Sequence, residues 1–336
     1  MSLEEVARRA GVSTATVSRV LNDLDVVKSS TKARVLRAIK ELNYHPNLHA
    51  RTLAGGKSKT IGLIVSNLEN PFFFDIYRAL EAEALRSGYE VVAAHTAYSP
   101  ARLLRAVRLM IGRRVAGLAA IVSEMDKALI KELVQAGIPA VFYDVGTAGK
   151  NISNIRFNYR KGIERVVDYL RHLGHARLAF IGHHSALGPI SERERAFVDA
   201  VSRYGSQAQW VCVADQDSLH GGRNAVRQIY ESGFKPTAVI CVNDFMAAGA
   251  LRELRERGIA VPGQVSLTGF DNITLSEYCD PPLTTVHVPR DTVGRLAFEV
   301  LTGEGEPGRQ GREVVLDPEL VLRESTGPAP KEEASG

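Results

Sequence analysis

The run Ala10-Gly11-Val12-Ser13-Thr14-Ala15-Thr16-Val17-Ser18-Arg19-Val20-Leu21-Asn22 constrains this chain more than any other stretch. Gly11 accepts the positive φ that ends a helix without a Cβ clash. Ser13 then offers its oxygen to an otherwise unpaired N–H one turn on, which starts the next helix. Val17, Val20 and Leu21 fall at i, i+3 and i+4 and give that helix one apolar stripe. Its other face carries Thr14, Ala15, Ser18, Arg19 and Asn22, which are small or hydrogen-bonding. Such a face can approach base edges in a major groove. Upstream, Ser2-Leu3-Glu4-Glu5 has capping-box form, and Leu3, Val6, Ala7 and Ala10 make a second buried stripe. Helix, glycine turn and helix is the helix-turn-helix plan. By pattern alone, a plain helical hairpin within a larger core satisfies the same spacing.

Charge weighs on that choice. Residues 1–60 hold eleven Lys and Arg against five Asp and Glu, a surplus of six, so the remainder carries −2 within a net charge of +4. A basic head on a slightly acidic body points to a polyanionic partner for the head. A third helix, about Ser30 to Asn43, has Val35, Ile39 and Leu42 as its stripe, with Leu36 and Ala38 beside it, and closes a three-helix head over residues 1–45. Pro46 ends that helix and suits the first turn of another. Leu48 to Leu53 is too short to be a stable helix alone, and Gly55-Gly56-Lys57-Ser58 is a flexible tether. Residues 46–59 are therefore either a hinge helix that orders on binding or an ordinary linker.

From Thr60 the texture changes. Ile61-Gly62-Leu63-Ile64-Val65 is a continuous apolar run, the mark of a strand covered on both faces. Strands are predicted near 61–65, 90–95, 116–122 and 139–143, alternating with helices near 72–87, 99–113 and 126–136. The pattern then restarts, with strands near 153–156, 177–182, 210–213, 237–242 and 264–268 and helices near 159–173, 190–203, 219–232 and 244–257. Alternation of this kind implies parallel sheets joined by right-handed crossovers. Two sets imply two similar lobes. Lobe one is expected over about 60–151 plus 284–310 and lobe two over about 152–283 plus 311–326, with a disordered Pro-, Ala- and Glu-rich tail at 327–336.

Other classes are disfavoured. No apolar run approaches the length of a membrane span, and the N-terminus enters a polar helix without a signal-peptide core. Cys212, Cys241 and Cys279 are odd in number and widely spaced, which fits a reducing cytoplasm rather than a disulfide framework or a zinc site. His183-His184 and His220 lack companions at metal-ligand spacing and read as loop histidines, so no metal and no cofactor is expected. No P-loop or Gly-x-Ser-x-Gly motif is evident. Asp144 and Asp271 could form a glycosidase-like carboxylate pair, but the basic head argues against an enzyme.

Several fragments together resemble the LacI/GalR (lactose-repressor) family of transcription regulators. In the head they are Val6-Ala7, Ala10-Gly11-Val12-Ser13, Thr16 to Asn22, Leu42-Asn43-Tyr44-x-Pro46-Asn47 and Ala50-Arg51-x-Leu53. In the body they are Gly62 to Val65, Asn70-Pro71-Phe72-Phe73, Gly174-His175, Val261-Pro262, Val265-Ser266, Gly269-Phe270-Asp271-Asn272 and Pro282 to Val286. The likeness spans residues 1 to about 325. It implies an all-α helix-turn-helix head on an α/β two-lobed core, like a periplasmic sugar-binding protein, with two parallel doubly wound sheets. The implied function is an effector-responsive repressor that binds a near-palindromic operator in double-stranded DNA as a homodimer and is released by a small sugar-like ligand. The alternative is a corepressor-dependent regulator responding to a nucleobase or sugar phosphate. No membrane partner is implied. Some relatives append a leucine-heptad helix that makes a tetramer; the stretch after Ser325 has no leucine and contains Pro328 and Pro330, so a dimer is expected.

The resemblance also assigns residues. Thr14, Ala15 and Arg19 match base-reading positions of the recognition helix, although a phosphate contact for Arg19 remains an alternative. Ser13, Thr16, Ser18, Asn22, Asn47, Ala50 and Arg51 complete the expected DNA-contacting set. Leu53 matches a leucine that wedges into the minor groove, where an apolar side chain can part a base step. In the core, Asp144, Arg193, Asn243 and Asp271 match effector contacts, and Phe72 and Phe73 match ring-stacking positions. Phe245 is a further aromatic able to cover a ring, while Asp244 reads first as a structural cap. Two departures stand out. Lys28 replaces a capping serine or threonine, leaving Ser29 or Ser30 to cap the third helix. Phe157-Asn158 replaces an Asp-Asn pair, which removes a cleft carboxylate and makes Phe157 an expected apolar contact of a changed ligand.

Overall fold

The head is built on two short helices that bury small residues against a third. In the computed structural model, which describes residues 2–21, 26–44, 58–124, 127–184, 188–303 and 310–331, α1 spans Leu3–Ala10, α2 Thr14–Leu21 and α3 Ser29–Glu41. Ser2 and Glu5 form the expected capping box. Gly11 sits at φ 63°, and its N–H and that of Val12 close onto the last turn of α1. Ser13 Oγ accepts from Thr16 N–H at 3.2 Å. Val6, Ala7, Ala10, Val17, Val20, Val35 and Ala38 are the buried core. Leu36, expected beside the α3 stripe, is half exposed. Neither Ser29 nor Ser30 caps α3: both lie inside it, Lys28 holds the cap position, and no side chain bonds there. The head and the core are separate compact units, dividing after Ser58.

The core opens with β1 (Thr60–Val65), buried from Ile61 onward. It continues through α4 (Pro71–Arg86), β2 (Glu90–His95), α5 (Pro100–Gly112), β3 (Gly117–Ile121), α6 (Lys127–Ala136), β4 (Ala140–Tyr143) and β5 (Ile152–Phe157). The second set comprises α7 (Tyr159–His172), β6 (Arg177–His183), α8 (Pro189–Ser202), β7 (Gln209–Asp215), α9 (Leu219–Glu231), β8 (Ala238–Cys241), α10 (Asp244–Glu256) and β9 (Ser266–Thr268). The chain ends with α11 (Thr274–Tyr278), β10 (Thr285–His287), α12 (Arg290–Thr302), β11 (Glu313–Leu316) and β12 (Glu319–Val321). One six-stranded sheet runs β11-β5-β4-β3-β1-β2 and a four-stranded sheet runs β7-β6-β8-β9. All their pairings are parallel. A small antiparallel pair, β10-β12, joins the chain's two returns.

This topology corrects the expected lobe boundaries. β5 pairs with β4 (Ala140↔Ile152 to Tyr143↔Ile155) and β11 pairs with β5, so residues 152–157 and 313–316 belong to lobe one. Strand–helix alternation shows that a strand exists but not which sheet it joins. Here the crossing into lobe two comes one element later, between Phe157 and Tyr159. The tail is also corrected as far as Lys331. Gly327 exchanges hydrogen bonds with Ser266 and accepts from His175 Nε2, and Ala329 N–H donates to Leu173. Residues 332–336 and the hinge positions 45–57 lie outside the described residues. Among the described residues, no helix is long and apolar enough to cross a membrane.

Glycines let two helices of lobe two approach closely. A Cβ on Gly249 would lie 1.9 Å from the Leu219 carbonyl oxygen, and one on Gly222 would lie 2.0 Å from that of Met246. Gly249→Ala should therefore lower stability by about 1–3 kcal/mol through overpacking, despite roughly 1 kcal/mol of gained helix propensity. The urea midpoint measures the balance; an unchanged or raised midpoint would show that α9 and α10 can part without cost.

Candidate functional site

In both lobes the strands deliver the chain to helix N-termini along one edge, where ligands of parallel α/β folds bind. The caps themselves are polar: Asn70 caps α4, Ser99 α5, Asn158 α7, Ser218 α9 and Asn243 α10. Proline at the first turn of α4, α5 and α8 reinforces those starts. Between the lobes lies a cavity partly open to solvent. Phe72, Phe73, Tyr98, Tyr143 and Tyr159 supply its rings, and Asn70, Arg193, Asp217, Asn243 and Asp271 supply its polar groups.

Arg193 is the buried cation of this cavity. Its guanidinium carbon lies 4.3 Å from the Tyr159 ring centroid and 4.7 Å from that of Phe270. Nη1 donates to the Val242 carbonyl and lies 4.0 Å from Asp271 Oδ1. Burial works against its charge, but Tyr159 and Asp271 outweigh that and hold its pKa above the usual value. Arg193 Nε and Asp271 Oδ1 are both buried without a hydrogen-bond partner. Buried polar groups are almost always paired, and both residues line the cavity. Asp271 sits at φ 100° and Asn272 at φ 54°. Arg290 clamps that turn, donating to the Asp271 and Asn272 carbonyls on one side and to Asp75 of α4 at 2.9 Å on the other.

Asp217 is the second polar centre. Asn243 Nδ2 donates to it at 2.7 Å, Asn67 Nδ2 at 3.1 Å, Asn70 Nδ2 at 3.3 Å and Tyr98 OH at 2.5 Å. Asn67, Asn70 and Tyr98 belong to lobe one, whereas Asp217 and Asn243 belong to lobe two. The asparagine amides cannot turn away. Their Oδ1 atoms accept from the N–H groups of Glu69, Phe72 and Met246, so their NH₂ groups must face the carboxylate.

The expected effector residues divide. Phe72, Phe73, Arg193, Asn243 and Asp271 line the cavity; Asp144 and Phe157 do not. The Asp144 carboxylate turns onto Phe157 N–H at 2.6 Å and Tyr159 OH at 2.7 Å. Phe157 packs its ring against Tyr159 and Phe270 at 5.1 and 5.9 Å. The expectation that Phe157 touches the ligand is thus corrected, because its ring is buried behind Tyr159 and supports it. Phe245 is buried and is not among the lining residues. Asp244 is structural, accepting from Ile273 N–H and Thr285 Oγ1. Among the described residues, no His, Cys, Asp and Glu cluster could hold a metal.

Several lining residues were missed in the sequence. Asp217 lies just past a strand, as Asp144 and Asp271 do, but that strand is only partly buried and lacks the apolar run that singled them out. Asn70 announces itself as a cap before Pro71. Tyr98 has no such signal, because its place depends on positive φ at Ala97 (50°) and at Tyr98 itself (58°), neither a glycine.

In the head, Ser13, Thr14, Ala15 and Arg19 are exposed, and Thr16 and Ser18 are half-buried. α2 thus presents a short polar face opposite buried Val17 and Val20. Asn22, Asn47, Ala50, Arg51 and Leu53 lie outside the described residues.

Comparison with known proteins agrees with this architecture. Residues 2–47 match the model for bacterial regulatory proteins of the lacI family, and residues 167–326 match a periplasmic binding protein-like domain. The chain is 32% identical over 327 residues to the HTH-type transcriptional repressor PurR of Photobacterium profundum, covering 96% of this chain and 98% of that one. It is 34% identical over 331 residues to PurR of Vibrio atlanticus, covering 96% and 97%. The Lac repressor dimer bound to operator and the anti-inducer ONPF superposes with a TM-score of 0.81 at 29% identity, covering 97% of this chain and 99% of that one. A complex of the transcriptional regulator CelR with cellobiose gives 0.67 at 28%, with the same coverage.

The buried acid behind the cavity wall makes a pH prediction. Burial pushes Asp144 up to about 7, against the bonds from Phe157 and Tyr159. A carboxyl whose pKa is raised on folding binds more protons folded than unfolded between about pH 4 and 7, so stability falls as pH rises through that window. Asp144→Asn keeps the shape and removes the titration. It should flatten the decline and raise stability at pH 8, by at most about 4 kcal/mol. Urea unfolding at pH 5 and pH 8 tests this; equal slopes in both proteins would assign the decline to other groups.

Proposed function

The chain belongs to the lacI family of bacterial regulatory proteins and is an effector-responsive, DNA-binding transcriptional repressor rather than an enzyme; we propose that its effector is a small neutral polyhydroxylated, sugar-like molecule held between the lobes. The observation that carries this reading is the unpaired couple Arg193 Nε and Asp271 Oδ1. A ligand that satisfies both must accept from an N–H and donate to a carboxylate. Hydroxyl groups can do either. Asn243 adds a polar contact, and the rings of Phe72 and Phe73, set edge to face at 5.2 Å, suit the apolar face of a sugar. The CelR neighbour, whose solved complex holds cellobiose, supports the same chemistry.

A second reading has its own observation. The five rings lining the cavity would also cover a flat heterocycle, and the C=O and N–H of a lactam could engage Arg193 and Asp271. A nucleobase acting as corepressor is therefore the alternative.

On the DNA side, Thr14, Ala15 and Arg19 read base edges from α2, while Ser13, Thr16 and Ser18 approach phosphates. Asn22, Asn47, Ala50, Arg51 and the wedge Leu53 complete the contact set. The repressor acts as a homodimer on a near-palindromic operator. Exposed apolar side chains on α4 (Phe74, Leu85) and on α11 (Tyr278) support such pairing.

Effector binding acts on DNA affinity by favouring one lobe arrangement over another. A thermal-shift screen of sugars, sugar phosphates and nucleobases tests the effector class. A ligand that binds only the folded state stabilises it by about 2.7 kcal/mol at a hundredfold excess over its Kd. Sugars should raise the midpoint, and a response to nucleobases alone would replace the sugar reading with the second. Arg193→Ala should weaken the effector by about tenfold or more, the scale of a lost charged hydrogen bond; unchanged affinity at matched folded fraction would remove Arg193 from the site. Arg19→Ala should weaken operator binding in gel shifts. Loss confined to one operator position marks base reading, and uniform loss with a shallower salt slope marks a phosphate contact.

A further inference from the structure

The cavity described above is not the whole of the space between the lobes. Beyond Tyr98 and Asp217 lies a larger chamber, open to solvent, whose walls include Glu69, Glu124, His183, His184 and Gln216. Tyr98 and Asp217 line both compartments and therefore form the partition between them. Tyr98 comes from the loop after β2 in lobe one, and its two anchors come from lobe two. Its ring lies 4.4 Å from that of His183, and its hydroxyl donates to Asp217 at 2.5 Å. Asp217 is itself fixed by the three asparagine amides whose orientation the helix caps and the Asn67 turn enforce. The loop aims the ring across the cleft through two successive non-glycine residues at positive φ, a conformation that persists only where its surroundings hold it.

We infer that Tyr98 sets the length of the ligand: anchored on His183 and Asp217, it confines the effector to a single ring in the inner cavity and shuts it out of the chamber beyond. This rests on the sugar reading of the cleft. The chamber is chemically able to take a second ring, which is why the partition matters. Gln216, Glu69 and the histidines can meet hydroxyls from either side of a hydrogen bond. Glu69, Glu124 and Asp217 disfavour an anion there, so the excluded extension is a neutral glycosyl unit rather than a phosphate. Removing the phenol would join the two compartments and admit a disaccharide.

The test is isothermal titration of the full-length protein and of Tyr98→Ala with matched single- and double-ring sugars: glucose, galactose and xylose against cellobiose, maltose, lactose and xylobiose. The wild type is expected to bind a monosaccharide and to discriminate against the disaccharides that contain it. Y98A is expected to raise the ratio of disaccharide to monosaccharide affinity by about tenfold or more, a scale set by the added hydroxyl contacts. Tyr98→Phe keeps the ring and loses the bond to Asp217. It is expected to raise the ratio by a smaller factor, and it carries the test if Y98A does not fold. A ratio unchanged in a folded variant, or a wild type that prefers disaccharides, overturns the partition while leaving the sugar reading intact. Failure of every sugar to bind either protein overturns the sugar reading, and the partition falls with it.

Discussion

The carboxylate of Asp217 is the point on which the arrangement of the two lobes depends. It receives donors from both: Asn243 of its own lobe, and Asn67, Asn70 and Tyr98 from the other. Charge-assisted hydrogen bonds of this kind are stronger than neutral ones, and a donor set oriented in advance loses little entropy on closing. The orientation comes from secondary structure. Asn70 and Asn243 cap α4 and α10 with their oxygens, which leaves only their NH₂ groups to face the cleft. The residues that start the helices therefore also bridge the lobes, and no separate device is needed. The same economy appears at Arg290, which clamps the 271–272 turn while reaching Asp75 of α4.

Elements whose burial is settled within one stretch of sequence were legible; those settled by distant chain were not. The runs at 61–65 and 178–182 are apolar because helices cover both faces of their sheets, and the observed strands begin or end within one residue of the expected ones. The Gly11 turn and the Ser13 cap are local chemistry and stand as read. Sheet membership is not local. Ile152–Phe157 has the pattern of a buried strand, yet only its register on Ala140–Tyr143 shows which lobe owns it. The tail through Lys331 has a composition that suits disorder, but the carbonyl of Leu173 and the imidazole of His175 give it partners.

The site shows the same division. Arg193, Asn243 and Asp271 follow buried strands or open helices, and their position in the pattern is enough to place them at the cleft edge. Phe157 shows where that rule stops, since a residue at a strand end can point to the cavity or behind its wall. Asp144 decides the matter by bonding the Phe157 N–H and the Tyr159 hydroxyl together, which turns Tyr159 toward the cavity and Phe157 away from it. Tyr98 lay beyond reach because its placement depends on a left-handed backbone that its own sequence does not favour.

The unpaired atoms of Arg193 and Asp271 explain how such a cleft can respond to a ligand at all. An unsatisfied buried polar group costs about 1–3 kcal/mol, and two of them at one point leave the empty closed cleft less stable than its packing alone would make it. On the proposed reading, a ligand that supplies the missing partners removes that cost only where the turn at 271–272 and the rings beneath the guanidinium hold both residues at the cavity. Differential affinity for one arrangement is the sole means by which a ligand moves a conformational equilibrium. The polar groups of Asp217 act in the opposite sense: fully paired without ligand, they favour closure unconditionally. On the proposed reading, the balance between the satisfied centre and the unsatisfied one is what leaves part of the lobe equilibrium for the effector to control.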